Sequence, residues 1–457
     1  RSYGNILDAA NELIAHNRKR LGKNLRTEAG PGEPVRVYEA TSDFAEAQWL
    51  LEEAQQLHRE GTPRSEIAIL YRSNAQSRVL ESALFNAGIP YRVYGGLRFF
   101  ERAEIKHALA YLRLLENPND DTSYLRVVNF PTRGIGARTI EQLQDAARAS
   151  GRSLYQSTGA VAGKAGANLA AFNALIDAMR DATRGLTLRE IIEHVIEASG
   201  LTDFYRNEKE GRERLENLDE LVNAAEAFVT QEGFGKDAVA LPIDEQAGAI
   251  ADGDPPAVAL ADITPDAETG EIVSPLAAFL THAALEAGDN QAQAGQDAIQ
   301  MMTVHAAKGL EFDCVFITGL EEGLFPHENS LSDFEGLEEE RRLMYVANTR
   351  ARKRLYLSHS QTRMLHGQTR YNIKSRFFDE LPEGALKWIT PKVQGFGSGY
   401  ARDYQAAWAA SPAPSFGGGQ KKIEPKVSTS DGVALRVGQS VFHTKFGEGV
   451  IVTLEGS

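Results

Sequence analysis

The sequence predicts an α/β protein whose largely parallel sheet is interrupted by a long helical segment. Short apolar runs of strand length occur near the start of the chain and return after residue 312. Between residues 98 and 296 the apolar residues follow helical spacing instead. At 457 residues and 42% apolar content, the chain is long enough for two or three domains with ordinary cores.

The first part, residues 1–97, alternates strands with helices. Residues 67–71 (IAILY) are almost wholly apolar, as in strands that are covered on both faces of a parallel sheet. Asp43 and Glu46 have the spacing of a capping box at the start of a helix that runs to about Arg59. A second helix is predicted from the apolar stripe at residues 79–84. Strands are predicted at 35–40, 67–71 and 91–94.

The helical part, residues 98–296, is predicted to be an insertion domain with an acidic insert at 231–275. That insert holds ten acidic residues and one lysine, which predicts a solvated segment. The net charge of −14 would argue against a nucleic-acid partner, but because much of it is localised, it says little about any single groove. Helices are predicted at 105–115, 138–149, 188–198 and 215–228.

Strand-like runs at 313–319 and 354–358 flank a helix at 337–346, so residues 297–382 are predicted to complete the sheet. Residues 383–432 are rich in glycine, proline and serine and predict a flexible linker. Residues 433–457 predict a β hairpin that bends near 446–449 and begins a small β module cut off at the chain end.

Cys314 is the single cysteine and lies in an apolar run, so we expect a buried structural thiol and no disulfide framework. No stretch has the ~20 apolar residues of a membrane span, and the first residues lack a signal-peptide pattern. These features predict a cytoplasmic protein with no membrane partner.

Two segments, TVHAAKGLEF (303–312) and EEERRLMYVANTRA (338–351), resemble motifs V and VI of the UvrD/Rep/PcrA helicases of superfamily 1 in order and spacing. The chain start resembles the end of motif IV of that family. The segment KFGEG (445–449) resembles its C-terminal Tudor-like module. Further matches are LYRSNAQSR (70–78), YGGLRFFER (94–102) and NFPTRGIG (129–136).

The resemblance implies the C-terminal half of an ATP-dependent, 3′-to-5′ DNA helicase of DNA repair. Residues 1–97 and 297–382 would form a RecA-like motor domain, and 98–296 a 2B-like domain that contacts duplex DNA. Two other interpretations stay open. One is the helicase subunit of a helicase-nuclease, and the other is a non-catalytic module that binds DNA or docks to RNA polymerase.

For the nucleotide site, the resemblance implies that Arg1 and Arg350 reach the γ-phosphate of ATP. A permanently charged, planar guanidinium suits the charge that spreads over a transferring phosphoryl group. Glu311 would accept a hydrogen bond from the ribose hydroxyl, and Gly309 would allow close backbone approach. The alternative for Arg350 is an ordinary surface arginine. Glu340 and the neighbouring Arg342 could equally be helix-face charges.

No phosphate-binding loop of the form GxxxxGK[ST] occurs in the sequence. The nearest segment, GAVAGKA (159–165), is one residue short between its glycines and has alanine in place of the Mg²⁺-binding hydroxyl. No apolar strand ends in an Asp-Glu pair. We therefore expect the ligands of the Mg²⁺ bound with ATP to lie on an N-terminal motor half, and we expect this chain alone to be inactive.

For single-stranded DNA, Arg72 and Asn74 follow a buried strand, where open α/β sheets place their ligand sites. The resemblance adds Arg98, Phe99, Thr303 and His305 to this track, although Phe99 could equally be a core residue. For duplex junction DNA, it implies the glycine turn at Arg133, Gly134 and Gly136, since backbone N–H groups before a helix can hold a phosphate. RNA polymerase or repair proteins are further partners implied for the C-terminal tail.

Overall fold

A computed structural model describes residues 2–390, apart from 20–21, 23, 210, 233, 235–273, 289–294, 332–333 and 366–367, together with four short strands after residue 426. The chain divides into two compact units, residues 1–391 and 392–457. None of the described helices is long and apolar enough to cross a lipid bilayer.

The first unit contains an eight-stranded sheet. Its strands are β1 (Val35–Ser42), β2 (Ile67–Tyr71), β3 (Tyr91–Val93), β4 (Ile299–Thr303), β5 (Phe312–Ile317), β6 (Ala351–Leu365), β7 (Gln368–Tyr371) and β8 (Leu386–Trp388). Seven strands are parallel in the order β3-β4-β2-β5-β6-β1-β8, and β7 pairs with β6 antiparallel. The predicted α/β class with a parallel sheet is confirmed.

The described helices begin and end as follows: α1 (Gly4–Ala15), α2 (Asp43–Arg59), α3 (Ser77–Asn86), α4 (Ala103–Glu116), α5 (Asp121–Val127), α6 (Ala137–Ser150), α7 (Leu154–Ser157), α8 (Gly163–Ala182), α9 (Leu188–Ala198), α10 (Leu201–Arg206), α11 (Gly211–Gln231), α12 (Pro275–Gly288), α13 (Glu328–Leu331) and α14 (Phe334–Asn348). The helices predicted at 105–115, 138–149, 188–198, 215–228 and 337–346 are confirmed, with ends that move by a few residues.

Both faces of the sheet are covered, which explains the continuous apolar sequence of β2. Ile67, Ile69 and Tyr71 pack into a core formed with α2 and α3. Ala68 and Leu70 point the other way, into a core formed with α1 and α14. Cys314 of β5 is buried as predicted, and burial raises the pKa of its thiol to about 11.

Helices α4 to α12 lie between β3 and β4 in the chain and pack around a core of their own. None of the residues of this helical core belongs to either of the two sheet cores. The helical segment therefore lies between two strands of the sheet in chain order, and its status as a separate insertion domain stays a prediction.

Three sequence interpretations need correction. The N-cap of α2 is Ser42, whose hydroxyl accepts the Ala45 N–H at 3.1 Å, whereas Glu46 is buried and accepts from Ser358 Oγ at 2.7 Å. Strand β4 was not predicted. The linker was predicted to begin too early, because Leu386–Trp388 form β8 and pair with β1. The Ser42 cap is a local contact, but the contacts of Glu46, β4 and β8 join residues far apart in sequence, so local patterns do not reveal them.

In the second unit only backbone pairing is described. Strands β9 (Val427–Ser428) and β10 (Ala434–Leu435) are antiparallel. Strands β11 (Ser440–His443) and β12 (Gly447–Val450) are also antiparallel, as a hairpin requires, but residues 447–449, which were predicted at the bend, lie in β12 instead. Its kinship with a Tudor-like module remains a prediction.

Candidate functional site at two edges of the sheet

Glu311 and Arg350 meet because of the register between β5 and β6. These strands are parallel, with Phe312 opposite Ala351, and the Phe312 N–H donates to the Arg350 carbonyl at 2.9 Å. Glu311 and Arg350 each precede one of these paired residues. They consequently lie side by side where β5 and β6 begin, at what we call the amino edge.

The guanidinium of Arg350 is held at this edge by three acceptors of its own chain. Nε donates to Val346 O at 3.0 Å, Nη1 to Leu310 O at 2.8 Å and Nη2 to Thr349 Oγ1 at 3.0 Å. Partial burial lowers the pKa of Arg350, and the Glu311 carboxylate acts in the opposite direction. The group therefore presents a positioned charge rather than a freely mobile one.

Gly309 precedes this pair in the turn after β4. Its φ of +89° lies in the left-handed region, and a Cβ at this position would meet no atom within 4 Å. The glycine is thus required by backbone conformation, and the space beside it is open.

The chain start reaches the same edge, because Tyr3 N donates to Arg352 O at 3.1 Å. Arg1 itself lies outside the described residues.

At the opposite edge, the register of β2 and β4 brings the other motif residues together. Tyr71 lies opposite Thr303, and Val304 N donates to Tyr71 O at 2.9 Å. Arg72 and His305 therefore follow neighbouring strands into one cleft of about 560 Å³, which we call the carboxyl-edge cleft. Its lining is Arg72, Ser73, Asn74, Arg212, Glu213, Glu216, Thr303, His305, His327, Asn329 and Ser330.

Arg72 forms a two-pronged ion pair with Glu340 of α14. Nε and Nη2 donate to the Glu340 carboxylate, at 3.0 and 2.7 Å for the shorter contacts. The Glu340 side chain is only 2% exposed, and it also accepts from His327 N and Ser330 Oγ. Burial alone would raise the pKa of Glu340, but Arg72 and these donors hold it below its ordinary value. Glu340 is therefore more than a helix-face charge.

Helix α11 supplies an acidic wall of the cleft. Ser73 Oγ donates to Glu216 at 3.0 Å, and Asn74 Nδ2 donates to the Glu213 carboxylate. Glu216 also lies 3.6 Å from His327 Nε2. This wall was not predicted, because acidic residues on a predicted helix usually indicate a solvated face.

Arg98 and Phe99 are enclosed. Arg98 is 3% exposed, pairs with Glu101 at 3.0 Å and donates to the carbonyls of Glu286 and Ala287. Phe99 is 1% exposed and packs edge-to-face on Phe100 in the helical core. The core interpretation of Phe99 fits this placement, and neither side chain lies on the surface of the carboxyl-edge cleft.

The glycine turn before α6 is exposed, but Arg133 is used internally. Its guanidinium donates to Val127 O, Pro131 O and Ser199 O and lies over the Phe172 ring.

Two glycines of this turn differ in what they require. Gly134 has φ +70°, and its Cβ would lie 3.0 Å from Asn168 Nδ2. Gly136 is the N-cap of α6, has φ −84° and has open space around its Cβ position. A Cβ is therefore accommodated at Gly136, whereas at Gly134 it would meet both a close contact and an unfavourable backbone conformation.

The segment GAVAGKA has the wrong surroundings for a phosphate loop. Such a loop follows a strand, whereas here helix α7 precedes the segment, its first two residues lie in the 3-10 turn Thr158–Ala160, and Gly163 begins α8.

Comparison with known proteins agrees with these motifs. The UvrD-like helicase C-terminal domain family matches residues 1–362. The chain is 43% identical over 465 residues to DNA helicase II of Escherichia coli, covering 100% of this chain and 57% of that protein. It is 37% identical over 471 residues to the ATP-dependent DNA helicase PcrA of Bacillus subtilis, covering 100% and 57%. The chain thus spans little more than half the length of these relatives, and it belongs to the UvrD-like helicase C-terminal domain family.

Proposed function

We propose that this chain is the C-terminal portion of an ATP-dependent 3′-to-5′ DNA helicase of DNA repair. It would supply the second RecA-like motor domain, with residues 98–296 as a duplex-contacting insertion. The observation that carries this proposal is the arrangement of the motif residues. Gly309, Glu311 and Arg350, expected to serve ATP, lie at the amino edge. Of the residues expected to serve single-stranded DNA, Arg72, Asn74, Thr303 and His305 lie at the carboxyl edge of the same sheet.

At the amino edge, Arg350 is the proposed catalytic residue, with Arg1 as a second arginine. A guanidinium fixed by three backbone and hydroxyl acceptors loses little freedom when it meets a phosphate. Glu311 would bind the ribose hydroxyl, and the open space beside Gly309 would let a ligand approach the backbone closely. ATP bound with Mg²⁺ supplies the phosphoryl group that is hydrolysed. The phosphate loop and Mg²⁺ ligands would come from an N-terminal motor half.

At the carboxyl edge, we assign single-strand contacts to Arg72, Asn74, Thr303 and His305. Arginine and amide donors suit phosphate oxygens, and these contacts would position the strand without reading its sequence. Arg98 and Phe99 are assigned an indirect role, because both support the junction between the sheet and the helices. The exposed turn at Gly134 and Gly136 is the proposed duplex contact, with Arg133 stabilising it from beneath.

The test compares the chain alone with the protein that also carries the N-terminal motor half. ATP hydrolysis stimulated by single-stranded DNA is expected only in the latter. Binding of single-stranded DNA by this chain should be weak and independent of sequence, and its affinity should fall steeply with salt because phosphate contacts release counterions. An affinity that stays unchanged between about 50 and about 200 mM salt, the interval over which phosphate contacts lose much of their affinity, would contradict phosphate contacts.

Two sets of substitutions in the complete helicase separate the DNA contacts. Arg72→Ala with Asn74→Ala should weaken single-strand binding and the ATPase activity that depends on it. Bulky replacement of Gly134 and Gly136 should reduce unwinding and junction binding while ATPase stimulated by single strands survives. Folding must be verified first for Gly134, whose positive φ disfavours a side chain. Equal losses on single-stranded and junction DNA for the glycine variant would remove the duplex assignment.

A further inference from the structure

Helix α14 connects the two edges of the sheet. It lies between β5 and β6 in the chain, and a crossover between parallel strands must return from the carboxyl edge to the amino edge. Glu340 lies in its first half and holds Arg72. Arg350 follows its last residue, Asn348, by two positions. Arg350 lies ten positions after Glu340, and the eight of these within α14 span about 12 Å at the rise of an α-helix.

The ion pair with Glu340 leaves part of the Arg72 guanidinium available. Glu340 engages Nε and Nη2, and no hydrogen bond of Nη1 occurs among the described residues. The Arg72 side chain is 19% exposed and lines the carboxyl-edge cleft. A phosphate in this cleft can therefore reach Arg72 while Glu340 still holds it.

A phosphate and the Glu340 carboxylate would then share one positive charge. Because Glu340 is buried, a weaker hold on Arg72 leaves its negative charge poorly compensated, and the first half of α14 must adjust. The helix is packed into the sheet core through Met344 and Ala347, so it should shift as a unit rather than bend. The acceptors of Arg350 include Val346 O of the same helix.

From this geometry we infer that Glu340 is a positioning residue that couples occupancy of the carboxyl-edge cleft by a DNA phosphate to the placement of Arg350. The inference rests on the proposed function. The contacts that carry it are the Arg72–Glu340 ion pair in the first half of α14 and the hydrogen bonds of Arg350 just beyond its last residue. Glu340 touches neither the nucleotide nor the DNA in this scheme.

The test uses Glu340→Gln in the complete helicase, with Glu339→Gln as the matched control. Glu339 directly precedes Glu340 in the same helix. Its side chain is 60% exposed and pairs with Arg342. Two quantities are measured with oligo(dT) at fixed salt. They are the dissociation constant and the ratio of DNA-stimulated to unstimulated ATPase rates. Glu340→Gln should lower that ratio roughly 5- to 150-fold, the usual range of coupling between sites.

Affinity for oligo(dT) should not fall in Glu340→Gln, because Arg72 loses a competing carboxylate. A merely structural role would instead weaken binding and stimulation together. The double variant Arg72→Gln with Glu340→Gln should have the same ratio as Arg72→Gln alone. The two residues act through one ion pair, so the effects of the two substitutions should not add. If Glu340→Gln does not fold, Arg72→Lys serves, because it keeps the charge but cannot form the two-pronged contact. It should lower the ratio more than the affinity.

The outcomes separate the two proposals. A parent protein without any DNA stimulation would overturn the proposed function and this inference with it. A stimulated parent whose Glu340→Gln variant behaves like Glu339→Gln would overturn the inference alone. Parallel losses of affinity and stimulation would also overturn it.

Discussion

The two edges of the sheet are built differently. At the amino edge, the predicted residues are neighbours because two adjacent strands start there, and Arg350 is held by acceptors within its own motif and the motif just before it. At the carboxyl edge, Arg72 is paired with a helix that lies 268 residues further along the chain. Asn74 meets a second helix, α11. Sequence motifs can predict which side chains meet when adjacent strands bring them together. They cannot predict which side chains meet when a distant helix packs beside a strand.

The largest effect is expected at the amino edge. Arg350→Ala in the complete helicase should lower ATP turnover by at least ~10³-fold, because such an arginine acts mainly on transition-state charge. Nucleotide and single-strand binding should remain. Turnover under saturating ATP and DNA measures the effect, and Arg342→Ala, which removes a half-exposed arginine of α14, is the control. Near-normal turnover would contradict the assignment of Arg350.

The second prediction concerns pH and the junction beside the carboxyl edge. Glu81 of α3 accepts from Ser77 Oγ at 2.6 Å and from Phe99 N at 3.0 Å. Burial raises the pKa of Glu81 to about 7 from 4.5, although Arg102 acts against this. The folded state therefore binds the proton more tightly than the unfolded state. Its contribution to the free energy of unfolding is greatest below pH 4.5 and is lost as pH rises to about 7.

Glu81→Gln should remove this dependence, which amounts to roughly 3 kcal/mol across the interval. Thermal unfolding of the chain at pH 5 and pH 8 measures it: the difference between the two midpoints should shrink in Glu81→Gln. Glu12→Gln, at an exposed position of α1, is the control and should leave the difference unchanged. An unaltered difference in Glu81→Gln would show that this carboxyl is ionised throughout.

The third prediction concerns Asn348, at the end of α14 near the amino edge. Its side chain is fully buried, and neither Nδ2 nor Oδ1 has a hydrogen-bond partner among the described residues. A buried amide without partners costs free energy, so Asn348→Val should raise the free energy of unfolding by about 1–2 kcal/mol. Asn348→Thr keeps the shape of valine with a polar group and should gain less. A lower midpoint for valine than for asparagine would mean that the amide is satisfied.

The smallest effect is expected at the duplex turn. Gly136 tolerates a side chain in its backbone conformation, and aspartate is a favourable N-cap. Gly136→Asp should therefore preserve folding but repel a phosphate at the start of α6, weakening junction binding about fivefold, or ~1 kcal/mol. Gly136→Ser caps without charge and is the control. Unchanged junction affinity in Gly136→Asp would place the duplex elsewhere.

The sequence by itself determined the parallel α/β sheet, most strands and helices, and the family. Apolar runs such as residues 67–71 report burial on both faces, because a parallel sheet is covered by helices on each side. The motif at 338–351 located Arg350 because the proposed catalytic position and the strand that presents it are adjacent in sequence.

Only the tertiary structure decided the partners of charged side chains. Glu340 could have been a solvated helix residue, and Arg98 a DNA contact, until packing brought Glu340 to Arg72 and enclosed Arg98 beside Glu101. Strand β8 likewise exists only through its pairing with β1. Periodicity reports which face of an element is buried, but it does not report which distant element covers that face. Ion pairs and edge strands depend on which distant element packs against them.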